Sequence, residues 1–197
     1  MLFSTKYSRR SVLAMAAAAG FVAASPAMAL SAAQAEELVG RLVGDINKVI
    51  NSGKSEGAMI RDFERIFGKY ADVDAIARFA LGADARSASA GQLRAYSKAF
   101  ASYMAKKYGR RFREFQGGQI EVQSASKSKS FTEVKSLAIL KGQRPFDVTF
   151  RVADNGRFRD MLIEGNSLAR LERTEIGALL DRRKGNLDQL IRDLPTL

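Results

Sequence analysis

Residues 146–168 read FDVTFRVADNGRFRDMLIEGNSL, and they carry the strongest fold signal in the chain. The first half alternates apolar and polar residues with period two. At the centre stands Asn155-Gly156, a pair favoured in two-residue hairpin turns because both turn positions need positive φ. Such a turn sets Arg151 opposite Asp160. One face of the ribbon then collects Phe146, Val148, Phe150, Val152, Met161 and Ile163 as a continuous apolar wall. The other face carries Asp160, Leu162 and Glu164, with Asp147 across from Glu164. Gly165 then passes the chain to a helix opening at Ser167.

Upstream of the ribbon the alternation continues. Residues 131–140 make a strand that turns at Gly142-Gln143, and Ile120 and Val122 belong to another, while 124–130 reads as a Ser/Lys loop. Before Gly117-Gly118 the period is helical. One helix runs through 31–53 with Leu38, Leu42, Ile46 and Val49 on one face. Ser55 caps a second that carries Met59, Ile60, Phe63, Ile66 and Phe67 and stops at Gly68. Asp72 caps a third with Val73, Ile76, Ala77, Ala80 and Leu81, stopping at Gly82. Ser89 opens the longest, 89–115, which would span ~40 Å. Its inner stripe is aromatic: Leu93, Tyr96, Phe100, Tyr103, Met104, Tyr108, Phe112 and Phe115. Downstream, 168–183 forms a helix burying Leu171, Ile176, Leu179 and Leu180, and Asn186 caps a short last helix with Leu187, Leu190 and Ile191. Segregated helices and strands predict an α+β domain: a four-stranded antiparallel sheet with several helices packed on one face.

Residues 1–29 stand apart. Lys6, Arg9 and Arg10 precede an apolar run over 12–24, and Ala27-Met28-Ala29 is an A-x-A cleavage signal. The run is shorter than the ~18 apolar residues a membrane span requires, so it reads as a signal peptide. Ser8-Arg9-Arg10-Ser11-Val12-Leu13 resembles the twin-arginine export motif, with an ordinary Sec peptide as the alternative. Either route delivers residues 30–197, a length suited to one domain, to a bacterial periplasm. Removing the segment takes three basic and no acidic residues, so a net charge of +11 becomes +8. That charge would attract anionic head groups or an acidic protein; nucleic acid is not an expected partner in the periplasm.

The chain has no cysteine and no histidine. Disulfides, His-based triads, His-bearing zinc sites and histidine proton shuttles are therefore excluded. Gly165-Asn166-Ser167 has the start of a nucleophile elbow, but Ala169 replaces the second glycine and no histidine is available, so Ser167 reads as a helix cap. The carboxylates Asp147, Asp160 and Glu164 could do acid/base work, or they belong to a solvated sheet face with Asp160 paired to Arg151. Lys106, Lys107, Arg110, Arg111 and Arg113 crowd the end of the long helix, with Lys127 and Lys129 in the loop beyond. Cations there complement the helix dipole, but five in eight residues exceed what capping needs, and a docking surface is the other reading. Neither metal nor cofactor is expected. Whether the aromatic and aliphatic faces meet as solid core or enclose a cavity is left open by periodicity.

The ordered motifs DVDAIARFALG (72–82), QLRAYSKAFASYMAKKYGRRF (92–112), the 146–168 ribbon and LDQLIRDL (187–194) resemble the MlaC family, also called the toluene-tolerance auxiliary family. The most specific part is D-x-x-I-E-G-x-S-L at 160–168. Where that family commonly has aromatics, often Trp, after the LG and in the last hairpin, Ala85 stands near the first place and Phe158 near the second. Leu171 and Glu172, in place of its Asn-Tyr pair, precede Arg173.

The resemblance implies a periplasmic phospholipid carrier with a lipid cavity between sheet and helices, and no enzymatic step. It implies an inner-membrane MCE-domain protein (MlaD-like) of an ABC transporter and an outer-membrane lipoprotein complex (MlaA-like) as partners, within a system maintaining outer-membrane lipid asymmetry. Two acyl chains hold ~30 methylenes, so exposing them to water would cost on the order of 20 kcal/mol, which a carrier avoids. The expected lipid-binding residues are Val148, Phe150, Met161 and Ile163 on the sheet, facing Phe100, Tyr103 and Met104, with Phe79 and Leu81 nearby. Lys106, Lys107, Arg110, Arg111 and Arg173 are the candidates for docking a head group or partner. Alternatives are a carrier of a hopanoid or other lipid, a lipid-free periplasmic adaptor with a basic docking surface, and a carboxylate-based enzyme.

Overall fold

The structure, a computed structural model, describes residues 30–197 apart from the side chain of Phe112. The expected signal peptide, and Phe112 in the aromatic stripe, lie outside the described residues. Helices come first: α1 (Ala32–Ile50), α2 (Glu56–Tyr70), α3 (Val73–Leu81) and α4 (Ala90–Gly109). The strands β1 (Gln119–Lys127), β2 (Thr132–Ile139), β3 (Phe146–Val152), β4 (Phe158–Ile163) and β5 (Asn166–Ser167) follow, then α5 (Leu168–Asp181) and α6 (Leu187–Asp193).

Capping fixes most helix starts. Ser31 and Ser89 each form a reciprocal capping box, with Gln34 and Gln92, and Asp72, Ser167 and Asn186 each accept a backbone N–H three residues on. Ser55 begins α2 but makes no side-chain cap. That helix continues past Gly68 to Tyr70, because Tyr70 is buried and its hydroxyl donates to Asp45 on α1 at 2.8 Å. The long helix is shorter than its stripe predicts. It has 20 residues, and after Gly109 the chain tightens into a 3₁₀ turn, Arg110–Arg113. Gly109, the last residue of α4, packs closely on α2: a Cβ there would stand 3.0 Å from Ile60 Cα, tighter than side chains ordinarily pack.

The sheet is antiparallel in the order β1-β2-β3-β4-β5. It has five strands, not the expected four. Glu164 (φ 50) and Gly165 (φ 78) both adopt left-handed backbone, so they form a two-residue turn that returns Asn166–Ser167 alongside β4 before α5 begins. At Asn155-Gly156, by contrast, only Gly156 is left-handed, and the loop holds three residues closed by Ala153 N–H on Arg157 at 2.9 Å. A bulge at Arg159 compensates for the extra residue, so Arg151 still faces Asp160. β1 likewise runs on to Lys127 where a loop over 124–130 was expected, because a bulge between Val122 and Ser124 keeps the ribbon paired with β2.

Helices cover one face of the sheet. Val134, Val148, Phe150 and Val152 are buried there in one core with Leu42 and Ile50 of α1 and Tyr96 and Phe100 of α4. Asn47 of α1 and Asn51, which caps its C-terminus, extend the backbone pairing at the β1 edge: Asn47 exchanges two 3.0 Å bonds with Ile120, and Asn51 bonds to Gly117 and Gly118. The other face carries a charge ladder, Glu133–Arg151 at 2.9 Å and Arg151–Asp160 at 3.5 Å. Leu171 departs from expectation. It is 53% exposed, while the neighbouring Glu172 is wholly buried.

Candidate functional site

The helices and the sheet do not close completely on each other. Between them lies an apolar chamber of about 240 Å³. Its floor is Ala138 from β2, Val148 and Phe150 from β3, and Met161 and Ile163 from β4; its walls are Leu42, Ile46 and Ile50 from α1, Phe63, Ile66 and Phe67 from α2, and Met104 from α4. Two features open the space. The inner row of β2 consists of short side chains, Val134, Ser136 and Ala138, and the two bulges interrupt the regular pairing of the sheet.

Three lining residues are also exposed and mark the rim: Arg111, Arg159 and Leu171. Just inside the rim, α4 and α5 are joined by a charged cluster. Lys107 Nζ donates to Glu172 Oε1 at 2.8 Å, to the Tyr103 hydroxyl at 3.1 Å and to Glu175. Tyr103 donates to Glu175 at 2.7 Å, and Tyr108 donates to Glu172 Oε1. Burial opposes ionisation of Glu175, but hydrogen bonds from Lys107 and Tyr103 outweigh it and hold that carboxyl below its usual range. Burial, then the adjoining carboxylates, push Tyr103 and Tyr108 above the normal phenol range.

The expected site residues separate into groups. Val148, Phe150, Met161, Ile163 and Met104 meet around the chamber. Leu81, Phe100 and Tyr103 are buried in the surrounding core without lining it, and Phe79 is 41% exposed with the Arg173 guanidinium 5.2 Å over its ring. The basic residues divide as well. Lys106 donates to the Pro195 carbonyl, Lys107 belongs to the interior cluster, and Arg173 is engaged on Phe79. Arg110, 3.8 Å from Glu56, and Arg111 at the rim are exposed. Sequence reasoning missed the contributions of α1 and α2, although their buried faces were periodic; period alone does not tell a filled interior from a hollow one.

The enzymatic candidates are accounted for structurally. Ser167 caps α5, accepting from Arg170 N–H at 3.2 Å, and donates to Asp160 Oδ2 at 2.7 Å. Asp160 also accepts from Ala169 N–H at 3.0 Å, so it seals the helix N-terminus, where a carboxylate complements the dipole. Glu164 accepts the Asp147 backbone N–H at 3.0 Å.

A family model described as MlaC protein matches residues 40–196. The structure is similar to that of a phospholipid-binding protein from Ralstonia solanacearum, solved in complex with a phospholipid, with a TM-score of 0.69 over 81% of this chain and 94% of that one. The two are 18% identical, so the likeness is one of fold. A search of curated proteins found no match.

Proposed function

The chain belongs to the MlaC family, and from that premise we propose that it is a periplasmic phospholipid carrier that seats acyl chains in the chamber between sheet and helices. The observation that carries this reading is the chamber itself: an apolar space with an exposed rim, lined by both the sheet and the helices. Val148, Phe150, Met161 and Ile163 are the lipid-facing floor and Met104 part of the opposing wall, with Leu81, Phe100 and Tyr103 packed behind. The tails pass Leu171 and Arg111, and the head group stays at the rim. At about 240 Å³ the chamber is smaller than the ~300–1,000 Å³ of ordinary ligand pockets, so a two-tailed lipid requires the helices to move off the sheet. No covalent step is involved. The carrier exchanges lipid between an MlaD-like inner-membrane protein of an ABC transporter and an MlaA-like outer-membrane complex, using Arg110 and Arg111 among its docking residues. The likeness of fold to a protein solved with a phospholipid supports the ligand class.

Ile163→Glu tests the reading. Ile163 is half-buried on the chamber floor, so a carboxylate there leaves the protein folded but makes the lined space inhospitable to hydrocarbon. The expected outcome is a normal circular-dichroism spectrum and loss of co-purifying lipid. A folded variant that retains lipid at the wild-type level removes Ile163 from the floor.

A further inference from the structure

The hollow stops at a definite level in the domain. On β3 the lining runs through Phe146, Val148 and Phe150 and ends there, although the next inward residue, Val152, is wholly buried. On α1 it ends at Leu42, short of the buried Val39, and on α2 it ends at Phe67, short of the buried Tyr70. Beyond that level the buried side chains belong to the packed core. Along α4 the lining runs outward, from Met104 past Lys107 to the exposed Arg111, while Tyr96 and Phe100 lie in the packed part.

Four aromatic rings stand at this boundary. Phe63 and Phe67 stack with centroids 6.0 Å apart, Phe67 meets Phe158 at 6.2 Å, and Phe158 meets Phe150 edge to face at 6.0 Å. All four line the chamber, and together they cross from α2 in the helical wall to β4 and β3 in the floor. Ring pairs of this geometry add attraction to their burial, and an aromatic side chain turns about only two χ angles, so the array yields less readily than an aliphatic wall. The backbone is fixed at the same place. The Phe158 carbonyl accepts the Asp72 N–H at 2.9 Å, Phe158 bridges to Ala71, and the Arg157 guanidinium donates to the Gly68 and Ala71 carbonyls at 3.3 and 3.2 Å. The junction of α2 and α3 is thereby stitched to β4 beside the rings. Helices that lift off the sheet to admit a second tail leave this end in place.

We propose that the array of Phe63, Phe67, Phe158 and Phe150 is the depth stop of the chamber and sets the length of acyl chain the protein takes, with Phe67 and Phe158 as the specificity-determining residues. The inference rests on the carrier reading. A methylene that finds apolar surface inside strengthens binding about fourfold. One that meets the rings gains nothing and pushes the polar end of the lipid out past the rim.

The delipidated protein is offered phospholipids of one head group whose saturated tails lengthen in even-carbon steps, in pairwise competition read by native mass spectrometry. For the wild type, affinity rises with tail length to a break and then levels or falls. Phe67→Ala and Phe158→Ala, folded by circular dichroism, move the break to longer tails by at least one step and leave the rise below it. Phe67→Leu, the milder change, moves it in the same direction and keeps the test available should the alanine variants fail to fold. Affinity that keeps rising without a break in the wild type, or a break unmoved in the folded variants, overturns the inference while leaving the carrier reading intact. A break that moves as far when Ile46, in the side wall, is cut to alanine also overturns it, because volume anywhere would then set the length. Binding of none of the lipids overturns both readings.

Discussion

Lys107 commits every N–H it has to the interior, and its side chain is only 24% exposed. In the sequence it is one of five cations in eight residues and looks like part of a docking surface. What the sequence hides is its partner: Glu172 lies 65 residues away, on a helix face expected to bury Leu171. Lys107→Met removes the cation while leaving a wholly buried carboxylate behind, so the expected loss is about 3–5 kcal/mol, measured by urea unfolding. A loss below about 1 kcal/mol would show that water reaches Glu172 and that the cluster is not the α4–α5 clasp described here. Ser167 shows the opposite case. The absence of histidine and of a second glycine was enough to read it as a cap, and its bonds to Arg170 and Asp160 are those of a cap.

Among elements, the legible ones were those whose signal is local. Caps at Asp72 and Asn186, the opening of α4 at Ser89 and the pairing of Arg151 with Asp160 follow from neighbours in sequence. The β5 turn was missed because glutamate is an unusual residue at positive φ, and Glu164 takes that conformation with its carboxylate tied to the Asp147 N–H. The end of α4 was missed because the aromatic stripe runs on past Gly109 into the 3₁₀ turn. Gly109→Ala forces a methyl against Ile60 Cα at 3.0 Å, so α2 and α4 must separate. The expected cost is about 1–3 kcal/mol by denaturant unfolding, against the small gain alanine brings to an unobstructed helix position. An unchanged or raised stability would mean that the two helices are not held at this distance.

For the molecule as a whole, the missing histidines make stability flat across neutral pH, and carboxylates set its acid limit. The Tyr70 hydroxyl, then Lys69, hold Asp45 below its ordinary 3.8, and Lys54 does the same for Asp62. A lowered native pKa favours the ionised form in the folded state. The stabilisation is therefore full above about pH 4 and lost as pH falls through the native values. Urea midpoints should be constant from pH 5 to 8 and fall below pH 4, with Asp62→Asn showing a smaller acid decline. The chamber was the least legible feature, since a sequence records which faces are apolar and not whether they touch. Whether it holds lipid is answered by native mass spectrometry of the protein expressed to the periplasm, with lipid extracted from the same sample. The carrier reading predicts a mass above that of the polypeptide by one phospholipid, which the extract identifies and delipidation removes. A bare polypeptide mass with no extractable lipid would contradict it.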